Sequence, residues 1–412
     1  MRKTIISLII VLSIALIGLL GWYLLSRNTS TPVAETVLGI LPFGEGGGDS
    51  TRPTTNDLQP TTGASDQGDQ QMVDEFGNPS SDLFRISNTP IAGAVMLKRG
   101  SETVVRYADR ATGHIYDVDL ATLVKTKVTN NTLPKIYEAY FRPDGNAVLF
   151  RSLKEDSDMV ENLSLALIPP KATSTDNLYT VSSTLLRGDI SSVAVGSGNG
   201  LFYALRDTSS IVSSAFNGTG IKTLLTSSFT DWRLAMAGNS LVAYTKASAN
   251  VPGYAYSVNT SNGTLTKIVG PLSGLVVVPS PVGNRVLYSY IDNTGAKMFA
   301  KNLTNNTSSE ISPATLAEKC VWSTKKAGSL FCGTPINDVG AGEPDNWYRG
   351  VTHFSDYIWR FDTGSEIAQL IAEPKKSLDV DIDLIDLKLS PDEDYLIFTN
   401  KNDLSLWGLR LQ

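Results

Sequence analysis

Ala139-Tyr140-Phe141-Arg142-Pro143-Asp144-Gly145-Asn146-Ala147-Val148-Leu149-Phe150 and Leu387-Lys388-Leu389-Ser390-Pro391-Asp392-Glu393-Asp394-Tyr395-Leu396-Ile397-Phe398 share one grammar. A strand alternating apolar with other residues meets a Pro that presets φ. Asp and Gly or Glu then occupy the tight turn, and a second, more apolar strand returns. Each stretch predicts a β-hairpin. Looser copies centre on Gly100, Asn199, Asn239, Asn284 and Gly328, so with Gly145 and Glu393 there are seven, spaced by 45, 54, 40, 45, 44 and 65 residues.

Further strand signals follow the hairpins, such as Tyr254 to Val258 and Thr264 to Val269, or Ala296 to Asn302 and Thr307 to Ile311. Four short strands recurring at a period in the forties predict propeller blades. The fold class expected is therefore all-β, a seven-bladed β-propeller over residues 81–412. The seventh unit runs out of chain after Leu404 to Leu411, while Leu83 to Ile86 precedes the first hairpin. The reading places that N-terminal strand in the last blade, where it removes an open sheet edge.

The two hairpins, with Phe141-Arg142-Pro143-Asp144-Gly145 and Leu389-Ser390-Pro391-Asp392 at their turns, resemble the SPDG turn of WD40-like repeats in TolB-type propellers. The run from Cys320-Val321-Trp322-Ser323 through Trp347-Tyr348 to Asp356-Tyr357-Ile358-Trp359 is similar to membrane-anchored propellers of bacterial envelopes. The resemblance implies an architecture and carries no activity with it.

The first 80 residues read differently. Arg2 and Lys3 precede an apolar run from Ile5 to Leu25, long enough at ~1.5 Å per residue to cross ~30 Å of hydrocarbon. Residues 1–25 are expected to form an uncleaved signal-anchor transmembrane helix. Its basic flank favours a cytoplasmic N-terminus and places the propeller outside the cytoplasm, at the cell surface or in a periplasm. Residues 26–80, rich in Thr, Ser, Gly and Pro, are expected to be a disordered acidic linker. The linker carries −6 of charge and residues 81–412 only −2, so the head is nearly neutral. Without a basic face, nucleic acid is excluded as a partner. The membrane, and another envelope protein or a polysaccharide, are the partners expected.

Cys320 and Cys332 flank the sixth hairpin symmetrically, so a register with Val321 opposite Phe331 sets the two sulfurs opposite each other. Outside the cytoplasm a structural disulfide is the favoured reading, two small buried thiols the other. His114 and His353 stand in no metal-ligand spacing, and no GxSxG elbow occurs. No catalytic or cofactor-binding set is assigned. Asp379, Asp381 and Asp383 offer oxygens of the kind calcium takes, but without the Gly of a calcium loop; their alternation with Val380, Ile382 and Leu384 reads instead as a half-exposed strand.

One insertion departs from the repeat, from Thr334 to Ser355 in the sixth unit. Its aromatic and charged residues Asp345, Trp347, Tyr348, Arg349, His353 and Phe354 are the candidate partner-binding set, because long loops in compact domains carry function and aromatics anchor ligands. The alternative is a loop that plugs its own blade. Three functions follow. The first is a non-catalytic, membrane-anchored binding head; the second is a glycan- or peptide-acting hydrolase with its site in the funnel; the third is a structural subunit of an envelope assembly.

Overall fold

The computed structural model describes residues 81–154, 159–171, 177–282 and 284–411. The expected membrane helix, 1–25, and the whole of the expected linker, 26–80, fall outside these residues. Among the described residues no helix is long and apolar enough to cross a membrane.

Seven four-stranded antiparallel sheets form a seven-bladed propeller. Each begins at the ring axis with one of the expected hairpins. In blade 2 the inner strand Ile136–Phe141 pairs with Ala147–Leu153, then Val160–Ile168 and Thr180–Leu185. Its turn is closed by Arg142 N–H to the Ala147 carbonyl (2.8 Å) and Gly145 N–H to the Arg142 carbonyl (2.8 Å). Gly145 is left-handed at φ +72°, and a Cβ there would stand 2.9 Å from the Leu97 side chain of blade 1. That position admits glycine at least cost.

Blade 7 uses the same turn differently. Glu393 occupies the left-handed position at φ +62°. Its carboxylate accepts hydrogen bonds from Ser323 Oγ (2.8 Å), Thr324 N–H (2.6 Å) and Lys325 N–H (3.0 Å), all on the hairpin of blade 6. The residue that breaks the SPDG pattern thus ties two blades together.

The second strands carry the core. Val105, Tyr107, Val148, Leu149, Leu201, Ala204, Leu241, Leu287, Leu330, Leu396 and Phe398 are all buried between blades. Burying such side chains contributes ~1.5–3 kcal/mol each. Leu83–Ser87 stands as the outermost strand of blade 7, paired antiparallel with Leu406–Arg410. Two further contacts join blade 7 to blade 1, namely Lys98 to Asp392 (2.7 Å) and the Lys388 ammonium to the Ala94 carbonyl.

Cys320 and Cys332 are bonded, and the register sets Val321 opposite Phe331. The half-exposed strand read over 379–384 is a correction. The strand is Leu384–Leu389, and Asp379, left-handed at φ +54°, ends the short helix Pro374–Leu378. Alternation alone mimicked a strand, whereas a row beginning at a helix end has no partner edge to pair with.

Candidate functional site

The insertion joins the strands Ser329–Pro335 and Asp356–Asp362 of blade 6 and contains one short helix, Asp345–Tyr348. It is a strap over neighbouring blades. The Asp345 carboxylate accepts the Ala249 N–H of blade 4 at 2.7 Å, and Ala296 N–H of blade 5 donates to the Val339 carbonyl at 3.2 Å. On the other side the Lys401 ammonium of blade 7 donates to the Trp347 carbonyl at 2.9 Å.

Of the six residues singled out from sequence, Trp347 and Phe354 are buried, only 3% and 8% exposed. Trp347 Nε1 donates to Asp383 Oδ2 (2.8 Å), and Phe354 N–H to the same oxygen (3.1 Å). Both rings lie about a ring's reach from the fully buried Lys319 ammonium, at 5.1 and 5.2 Å. Lys319 sits between Asp356 (2.7 Å) and Asp383, themselves fully buried. Burial pushes the Asp356 carboxyl up to about 6 against the pull of Lys319. Arg349 is exposed and bonds Asn346 Oδ1 (2.7 Å), while the exposed His353 faces Asn402 Oδ1 across 3.2 Å. Tyr348, 41% exposed, donates its hydroxyl to Glu318.

That last contact leads to the ring axis. Burial holds the Glu318 carboxyl up at about 7, although Tyr348, Lys319 and Arg233 each favour its anion. The Tyr244 and Tyr348 hydroxyls, both raised by burial, feel the Glu318 charge. Glu318 in turn feels Asp386.

Asp386 lines an axial cavity of about 420 Å³. Its walls come from the inner strands of blades 1, 2, 3, 4 and 7, with Gly93, Ala139, Val193, Val195, Leu234 and Met236 among the apolar groups and Glu138, Tyr140, Asp386 and Lys388 the polar ones. Gly93 is required here, because a Cβ would fall 2.1 Å from the Ala139 carbonyl oxygen. The inner strands of blades 1, 2, 3 and 7 all slip register near their start, between Ile91 and Gly93, Ile136 and Glu138, Ile190 and Ser192, and Ile385 and Lys388. Such bulges re-aim side chains.

In blade 7 the slip leaves Asp386 exposed at φ +53°, with no hydrogen bond or ion pair among the described residues. Glu138 is partnered, by Arg151 Nη1 (2.6 Å) and the Tyr140 hydroxyl (3.1 Å). Among the described residues the Lys388 ammonium has the Ala94 carbonyl as its hydrogen-bond partner, and burial lowers its pKa against the pull of Asp386.

A wider cleft of about 700 Å³ lies at the opposite end of the inner strand of blade 1, but its two basic groups, Lys98 and Arg99, are already paired. Arg99 and the buried Arg106 share Asp117 at 2.7 Å each, and Lys98 pairs with Asp392. The sequence reading missed the axial set. Its one available signal was a charged pair, Asp386 and Lys388, inside an otherwise apolar inner strand.

Asp379, Asp381 and Asp383 do not converge. The first two pair with Lys375 (3.0 and 3.1 Å), and Asp383 belongs to the Lys319 cluster. Among the described residues no group of three or more His, Cys, Asp or Glu side chains is placed to hold a metal ion.

No protein-family model matches the chain, and no curated protein matches it in sequence. Solved structures match its fold. An oligogalacturonate lyase in complex with manganese has a TM-score of 0.54 at 11% identity, covering 83% of this chain and 96% of its own. An oligogalacturonate lyase from Vibrio parahaemolyticus gives 0.53 at 9%, covering 80% and 93%. A hydrazine synthase from Kuenenia stuttgartiensis gives 0.50 at 13%, covering 79% and 97%. The manganese belongs to the first of these, and the donor set here offers it no counterpart among the described residues. At such identity the likeness is one of architecture, and the chain is a seven-bladed propeller of a shape that enzymes, lyases among them, also use.

Proposed function

We propose that this protein is a membrane-anchored, extracytoplasmic propeller that binds a protein partner or a cell-envelope polymer without turning it over, and that it binds on the ring axis. The observation that carries this reading is the axial cavity with an unpartnered carboxylate, Asp386, turned into it by a strained bulge. Apolar walls around a few convergent polar groups are what a ligand site needs. The strap supports the site rather than supplying its contact residues, since Trp347 and Phe354 are committed to the core; Tyr348 alone of the six reaches the axial group of charges. The apolar run 5–25 and the acidic tether supply the membrane part of the proposal.

Photo-cross-linking in intact envelopes tests it, with the full chain carrying a photoreactive residue at Met236 in the cavity or at Ile221 on the outer rim. A discrete adduct from position 236 and none from 221 is expected; adducts from the rim alone overturn the axial site.

Glu318 favours a second reading. A carboxyl that titrates near neutrality beside two tyrosine hydroxyls suits general acid–base work, which a funnel hydrolase requires. Release of soluble fragments from purified envelope glycans or peptides, abolished in Glu318→Gln, would establish that reading over simple binding.

A further inference from the structure

Resting on the axial cavity as the binding site, we propose that the group it takes is an α-amino-acid zwitterion, with Asp386 receiving the ammonium and Lys388 the carboxylate. The two charges belong to one short strand and line one cavity. Opposite charges so placed ordinarily close into a contact pair, yet no ion pair joins them. The register slip between Ile385 and Lys388, with Asp386 left-handed, breaks the regular strand spacing between them. Lys388 uses one N–H on the Ala94 carbonyl and keeps two. What completes such a divided pair is a molecule bearing both charges a few bonds apart. Val193, Val195, Leu234 and Met236 form the apolar wall for its side chain. Burial, which penalises the lysine ammonium, would be offset by a ligand carboxylate.

The same zwitterion occurs free or as the pendant end of a branched envelope polymer. Calorimetric titration of the full chain uses both forms, leucine for the first and Nε-hexanoyl-lysine for the second. N-acetyl-leucine and leucinamide each remove one charge. Binding of either zwitterion, at least about ten-fold weaker for both capped forms and for Asp386→Asn, is the expected result. Which zwitterion binds more tightly identifies the source. Equal binding of N-acetyl-leucine, or no binding of either zwitterion at millimolar concentration, overturns the proposal. The capped ligands decide the matter on the unaltered chain, so a poorly folding variant does not. If the zwitterions fail while position 236 still cross-links to an envelope component, the axial site stands and only its ligand class falls.

Discussion

Lys319 and Lys388 stand on the inner edges of neighbouring blades and are treated in opposite ways. Lys319 is fully buried, clamped by Asp356 and Asp383 and faced by the rings of Trp347 and Phe354. Lys388 lines a cavity, forms no ion pair among the described residues, and is separated from Asp386 by a bulge in its strand. Charge removed from water persists only with compensation. The first lysine has its compensation inside the protein and acts as a rivet between blade 6, blade 7 and the strap. The second has a backbone carbonyl and the more distant pull of Asp386, and the proposed axial site rests on that difference.

Substituting each lysine by methionine tests the contrast most severely. Lys319→Met leaves two carboxylates buried without their cation and is expected to cost about 3–5 kcal/mol in chemical denaturation. Lys388→Met is expected to change stability by no more than about 1 kcal/mol, because Asp386 and position 388 itself line a cavity with room for water. Equal losses from the two variants would break the comparison.

The disulfide sharpens it, since Cys320 follows Lys319 directly. The bond closes a segment of sequence separation 12, for which restriction of the unfolded chain contributes about 3 kcal/mol. Double replacement by serine should lower stability by that order, measured by the same denaturation. Combined with Lys319→Met the losses should not add, because the residues share one inner-strand start.

How far these features were legible from sequence follows from where each is written. The seven hairpins were legible because each is local, a turn and two short strands within a dozen residues. The Cys320–Cys332 pair was legible for the same reason, because one tight turn fixes the register between them. The axial group was not. Glu138 and Asp386 lie almost a whole ring apart in sequence, and nothing local says that both edges meet at one axis. The bulges hide it further, since a one-residue slip moves every later side chain to the other face. Trp347 and Tyr348 show the same limit inside the strap. Adjacent aromatics read alike in sequence, yet one is 3% exposed on Asp383 and the other 41% exposed on Glu318.

Glu318 gives a smaller effect with a definite sign. Its carboxyl keeps its proton up to about 7 in the folded chain, whereas an unfolded glutamate releases it near ~4.3. Between those values the folded state binds more protons, so the stability this group contributes is fully present below the unfolded value and is lost as pH rises through about 7. Denaturation midpoints across pH 4.5 to 7.5 should therefore slope downward with rising pH, and Glu318→Gln should flatten that slope. An unchanged slope would place the titrating group elsewhere, with Asp356, held up at about 6, the next to test.

The smallest effects belong to Arg349 and His353, the two exposed members of the strap set. Among the described residues Arg349 bonds its own helix, through Asn346 Oδ1 and the Asp345 carbonyl, and His353 meets Asn402 on the surface. Exposed contacts of this kind contribute within about 0.5 kcal/mol. Arg349→Ala and His353→Ala should leave the denaturation midpoint nearly unchanged and, if the axis is the binding site, leave cross-linking from position 236 intact. A stable Arg349→Ala chain that no longer cross-links from position 236 would move the binding surface out onto the strap and reverse the lesson of the two lysines.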